Sequence, residues 1–64
     1  MISGILKMWK EAEGWGFIEG DDGDDYFVNI ANVRKGQKMQ TNIRVKFDVT
    51  QGHRGPEAEN VSLV

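Results

Sequence analysis

The residues best equipped for chemistry in this chain are its rings. In EGWGFIEGDDGDDYFVNI, residues 13–30, Trp15 and Phe17 stand two positions apart, and Phe27 follows an acidic interruption. Two-residue spacing places side chains on one face of a strand. Flat rings on such a face are what unstacked nucleobases need, because every base has a π-face. The other chemical candidates are weaker. The acids of DDGDD, residues 21–25, lack the spaced oxygens and distal glutamate of a calcium loop, so they read as a turn. Gly14-x-Gly16 leads into a strand rather than a helix and is no dinucleotide loop. His53 is the single histidine, lies in a turn and has no evident acid–base partner. No nucleophile, base and oxyanion donor stand at workable spacing. An enzyme, a cofactor and a metal site are therefore not expected.

The elements that must position these rings are strands. No segment carries a helical period of apolar residues, whereas strand patterns recur with turn residues between them. The clearest is NIRVKFDVT, where Ile43, Val45, Phe47 and Val49 alternate with Asn42, Arg44, Lys46 and Asp48. NVSLV repeats the alternation through Val61 and Leu63, and ISGILKMWK reads as a strand that uses both faces. GHRGPE between the last two strands reads as a turn. Five short strands predict an all-β fold, a small five-stranded antiparallel barrel, whose closure removes exposed edges.

Turn chemistry sets the register around the rings. With Gly20 and Asp24 flanking a three-residue loop and Gly23 in the left-handed position, Phe17 opposes Phe27, Trp15 opposes Asn29 and Ile18 opposes Tyr26. Alternation then sends Ile18, Tyr26 and Val28 to one face with Gly16, and Trp15, Phe17, Phe27 and Asn29 to the other. A barrel wall has one interior. The aliphatic set suits it, so the three rings are expected to be solvent-exposed neighbours, at a hydration cost that folding does not require.

At 64 residues the chain is read as one domain, 1–64, burying roughly 60% of its unfolded surface. It has no cysteine, and MISGILKMWK is too short and broken for a signal peptide or membrane span, which points to the cytoplasm. A formal charge of −2 is a poor prior for nucleic acid, unless the charges segregate. In sequence they do: acids concentrate in residues 11–25 and most bases in 34–54.

These stretches resemble the bacterial cold-shock proteins over nearly the whole chain. GILKMW looks like the family's first strand. EGWGFI resembles its first ribonucleoprotein motif, usually K-G-F-G-F-I, and YFVNI its second, usually V-F-V-H-F. RGPEAENV is similar to the closing R-G-P-x-A-x-N-V, which is long and specific. The resemblance implies the same five-stranded barrel, of the oligonucleotide-binding type, binding to single-stranded RNA or DNA, and a role as RNA chaperone or regulator of transcription or translation. It places Lys7, Trp9, Trp15, Phe17 and Phe27 where the family has its surface lysine and rings. Asp25 matches a polar binding position and Arg54 the basic residue before the last Gly-Pro.

Several positions depart from the pattern. Met8 stands where the family usually has an exposed tryptophan, Glu13 where it has lysine, Asn29 where it has histidine and Ile30 where it has phenylalanine. The loop from Val33 to Asn42 is shorter and lacks an aromatic residue. Each base–aromatic stack is worth roughly 1–3 kcal/mol, so the missing platforms imply weaker binding than the family norm. Trp15 recovers part of the loss as a larger ring, and Lys10, Arg34, Lys35 and Lys38 are candidates for phosphate contacts. The binding set is thus Lys7, Met8, Trp9, Lys10, Trp15, Phe17, Asp25, Phe27, Asn29, Ile30 and Arg54. The alternative is a cold-shock fold turned to protein contacts or a domain-swapped dimer, with the monomer as the default state.

Overall fold

The computed structural model describes the whole chain, Met1–Val64. Five strands run in the order β1 (Ile2–Lys10), β2 (Trp15–Gly20), β3 (Asp25–Asn29), β4 (Arg44–Gly52) and β5 (Gly55–Leu63). One turn of 3-10 helix, Ile30–Asn32, follows β3. The strands close into a barrel ordered β1-β2-β3-β5-β4, with β4 pairing back to β1. Four seams are antiparallel and the fifth, β3 with β5, is parallel. This differs from the wholly antiparallel expectation for a reason of parity: a closed ring with an odd number of strands must contain a parallel pair.

The β2–β3 hairpin has the predicted register throughout. Trp15 pairs with Asn29, Phe17 with Phe27 and Ile18 with Tyr26. Gly23 has φ +90°, the left-handed region that glycine adopts without strain, and its N–H donates to the Gly20 carbonyl at 2.9 Å. Ile18, Tyr26 and Val28 turn inward. They join Leu6, Met39, Val45, Phe47, Ala58 and Val61 in one core, and Ile2, Trp9, Val33 and Ile43 pack on its edge.

The last two strands depart more from simple alternation. β4 begins at Arg44 rather than Asn42, because Asn42 has φ +71° and cannot continue a strand. Val45 and Phe47 are fully buried, but Val49 is 44% exposed. Its flank is open, since β1 pairs with β4 only as far as Ile2–Phe47. β5 starts at Gly55 instead of Asn60, so the connecting turn shrinks to His53 and Arg54 between the paired Gly52 and Gly55. Pro56 is tolerated inside the strand because the pairing to β3 begins only at Glu57. Lys46 pairs with Ser62 and Asp48 with Glu59, so one extra residue is taken up on β5. Asn60, at φ +54°, is where the backbone bends. The bulge puts Ala58 and Val61, three apart, in the same core, and it leaves Leu63 39% exposed at the barrel end.

The segment between the 3-10 turn and β4 has no regular structure but is tied down. Arg34 N–H donates to the Val61 carbonyl at 2.8 Å, and Leu63 N–H donates to Gln37 Oε1 at 2.8 Å. Met39 inserts its side chain into the core from this segment.

Candidate functional site

The outer face of β2 and β3 carries the rings in one cluster. Trp15 and Phe27 stack with centroids 5.9 Å apart and planes 28° apart. Phe17 meets both edge-on, at 6.0 Å from Trp15 and 5.8 Å from Phe27. Such offset-stacked and edge-to-face geometries are the ones that ring quadrupoles favour. Arg54, from the β4–β5 turn, holds its guanidinium 4.8 Å from the Phe27 centroid. Lys10, at the end of β1, places Nζ 6.0 Å from the Trp15 centroid.

Exposure within the cluster is unequal. Phe17 is exposed and Trp15 is half-buried, but Phe27 retains only 8% of its surface. This corrects the expectation of three solvent-exposed rings. Phe27 is not in the core; it is covered on the outside by Trp15, Phe17 and the Arg54 guanidinium. It is the floor of the cluster, and the other two rings are its accessible rim.

A bulge in β1 decides which of its residues join the rings. Leu6 pairs with Ile18 and Met8 with Phe17, so Lys7 is an extra residue on β1. Beyond the bulge the faces exchange: Met8 and Lys10 lie opposite Phe17 and Trp15 on the outside, and Trp9 lies opposite Gly16. Trp9 is half-buried, like Trp15, but packs on the edge of the core and stands outside the Trp15–Phe17–Phe27 cluster. Gly16 has no room for a side chain there, since a Cβ would meet the Met8 carbonyl oxygen at 2.0 Å and the Trp9 indole at 2.9 Å. Strand alternation by itself does not reveal the bulge.

The remaining candidates spread around the cluster. Ile30 is 51% exposed in the 3-10 turn, and its N–H donates to the Gly14 carbonyl at 2.8 Å. Asn29 is exposed opposite Trp15, with its Oδ1 accepting from the Ala31 N–H at 2.9 Å. Asp25 is at the far end of the hairpin, paired with Glu19, a like-charge neighbour. Lys7 offsets that repulsion with Nζ 3.6 Å from Glu19 Oε1. Arg34, Lys35 and Lys38 lie on the irregular segment between the 3-10 turn and β4. The charges are stitched across the fold rather than wholly separated: Arg44 reaches Asp21 at 2.6 Å, which holds its guanidinium still more firmly protonated. The face is nonetheless graded, acidic at the Asp21–Asp25 turn and flanked by Lys10 and Arg54 at the rings.

Two carboxylates beside the tryptophans were not singled out as a pair by the sequence reading. Trp9 Nε1 donates to Glu11 Oε2 at 3.2 Å and Trp15 Nε1 to Glu13 Oε1 at 3.1 Å. The mirror-like WKEAEGW, residues 9–15, is the available sequence signal. At the opposite end of the hairpin, the Tyr26 hydroxyl donates to Asp22 Oδ2 at 2.5 Å. That bond pushes the tyrosine up to about 12 and holds the Asp22 carboxyl below its usual range. The one surface concavity, about 130 Å³, lies between the 3-10 turn and β5 and contains none of the rings. It is well below the roughly 300–1,000 Å³ of small-molecule sites.

The model of the 'Cold-shock' DNA-binding domain matches residues 2–64. The chain belongs to the cold-shock domain family. It is 39% identical to the cold shock protein of Arthrobacter globiformis over 67 aligned positions, covering 100% of both chains. It is 37% identical to the cold shock-like protein CspC of Bacillus cereus, over 94% of this chain and 95% of that one. The cold shock protein ScoF of Streptomyces coelicolor is 38% identical, with 97% of each chain covered. Among solved structures, drosophila Unr CSD456 superposes with a TM-score of 0.81 at 20% identity, covering 98% of this chain and 26% of that one. That likeness is one of fold. The cold-shock domain is a single-stranded nucleic-acid-binding fold rather than an enzyme scaffold.

Proposed function

We propose that this cold-shock domain binds single-stranded RNA or DNA by stacking bases on the outer face of β2 and β3, and acts as an RNA chaperone or a regulator of transcription or translation. The observation that carries the reading is the contiguous cluster of Trp15, Phe17 and Phe27, with centroids 5.8–6.0 Å apart, flanked by Arg54 and Lys10. Phe17 and Trp15 offer ring surface to bases, and Phe27 supports them from beneath. Arg54 and Lys10 sit beside the rings, where their cations can meet the phosphates of a stacked strand. Met8 and Ile30 offer apolar contact in place of rings, and Asn29 offers its amide. Acids at Glu13, Glu19 and Asp25 repel phosphate on the same face. Binding is accordingly weaker than a full set of rings would support.

Titration of tryptophan fluorescence with a short single-stranded oligonucleotide tests this. Quenching is expected, because Trp15 is a stacking surface, and affinity should fall as salt rises through lost counterion release. Absence of a quench at low salt with folded protein would instead support the protein-contact use of the ring face.

A further inference from the structure

We propose that Glu13 is a specificity-determining residue that makes the Trp15 position select guanine over thymine or uracil; this rests on the nucleic-acid reading above. The carboxylate is held at the rim of the indole. Glu13 Oε1 accepts the Trp15 Nε1–H at 3.1 Å, and that N–H lies in the ring plane. The turn behind it is pinned, with the N–H groups of Glu13 and Gly14 both donating to the Lys10 carbonyl, at 3.1 and 2.7 Å. Glu13 is exposed and forms no salt bridge. The indole N–H uses one lone pair, so Oε2 and the remaining lone pairs of the carboxylate stay open as acceptors.

A base stacked on this indole brings its edge to that carboxylate. An ionised carboxylate only accepts hydrogen bonds. Guanine presents N1–H and the N2 amino group side by side, two donors that match two oxygens. Thymine and uracil present one N–H between two carbonyl oxygens, and those oxygens face the carboxylate with repulsion. Cytosine and adenine, with one amino group each, fall between. Lys10, 6.0 Å from the ring centre, is a flexible side chain that an entering base displaces toward its own phosphate. Glu11 makes the equivalent bond to Trp9, but that indole packs against the core edge and Gly16, outside the Trp15–Phe17–Phe27 cluster. The discriminating pair is therefore Glu13 with Trp15.

The test compares oligodeoxynucleotides of about six nucleotides, all-thymine against alternating thymine and guanine, within the usual site size of such barrels. Isolated guanines avoid four-stranded association. Fluorescence titration should show the guanine-containing strand binding about tenfold tighter, the scale of one two-donor base contact. Replacing guanine by hypoxanthine, which keeps N1–H and loses the amino group, should give an intermediate affinity. Glu13→Gln separates contact from positioning: its carbonyl can still accept from the indole, but an amino group replaces the second acceptor. In that variant the preference should shrink to within about twofold, with thymine binding unchanged or improved.

Equal affinity of the parent protein for both strands, or a thymine preference, overturns the proposal and leaves nucleic-acid binding intact. A preference that survives Glu13→Gln also overturns it. Binding of neither strand by folded protein overturns both the proposal and the reading it rests on.

Discussion

The two faces of the β2–β3 hairpin are nearly equal in apolar content and opposite in use. On the inner face, Ile18, Tyr26 and Val28 are packed by residues from every other strand, and their exposure is 0–5%. On the outer face, Trp15, Phe17 and Phe27 pack mainly on one another, with two cations at the margin. The inner set is covered by the fold. The outer set is only partly covered, and by side chains that can move. The difference shows that ring content alone does not mark a site; what does is apolar surface that the barrel leaves without a wall.

The comparison breaks most sharply under truncation. Ile18→Ala should cost about 2–5 kcal/mol of stability, because it leaves a cavity with no slack around it. In a domain this small that lowers the melting temperature by roughly 4–8 °C per kcal/mol, which thermal denaturation followed by circular dichroism reads directly. Phe17→Ala should do the reverse. Its stability loss should stay below about 1 kcal/mol, while oligonucleotide affinity falls by the roughly 1–3 kcal/mol of one stack. Equal destabilisation by the two variants would show that the outer face is a second core.

Phe27→Ala sharpens the same contrast, since this ring belongs to the outer face yet is as covered as an inner one. Both stability and binding should drop, each by about 1–3 kcal/mol, and the loss of binding should exceed that of Arg54→Ala. Melting and titration on one preparation would separate the two losses. A stability loss with unchanged affinity would make Phe27 purely structural.

A smaller effect concerns the charge at the rim. Glu13→Lys should strengthen binding of an all-thymine strand, and it should steepen the dependence of log K on log salt by about 0.7–0.9 for the added phosphate contact. Ile30→Phe should strengthen binding with little change in slope, because a ring adds stacking and no charge. Titrations at two salt concentrations distinguish them. If neither substitution matters in folded protein, residues 13 and 30 do not line the binding face.

The smallest expected effect is at the hairpin's inner end, where Tyr26 donates to Asp22. Tyr26, held near 12 by this bond, contributes stability that is complete below its ordinary value near 10 and is lost as pH rises from there toward 12. Asp22, held below its ordinary value, contributes stability present above about 4 and lost as pH falls through its lowered value. Tyr26→Phe should therefore flatten the pH dependence of melting at both extremes and leave neutral binding almost unchanged. An unaltered profile would show that the hydrogen bond does not persist in solution.

Much of the site was legible because it is local. The register of β2 and β3, the left-handed Gly23 and the split of the hairpin into two faces all follow from a two-residue period and one short turn, which act within about twenty residues. The closing RGPEAENV and the two ring motifs pointed to the family before any packing was known. Other features were decided only by closure of the barrel. The single extra residue at Lys7 exchanges Met8 and Trp9 between faces, because a shift of one position inverts every later side chain and leaves no compositional trace. The bulge at Asn60 does the same for Val61 and Leu63. Phe27 is covered by Arg54, twenty-seven positions later, and that contact requires β5 to lie parallel to β3. The bond from Trp15 to Glu13 was within reach of the sequence, but its direction depends on the pinned turn beneath it. The sequence thus determined which residues share a strand and which face a strand should bury. The tertiary structure decided which rings stay open to a partner, because coverage is set by neighbours that only the closed barrel brings together.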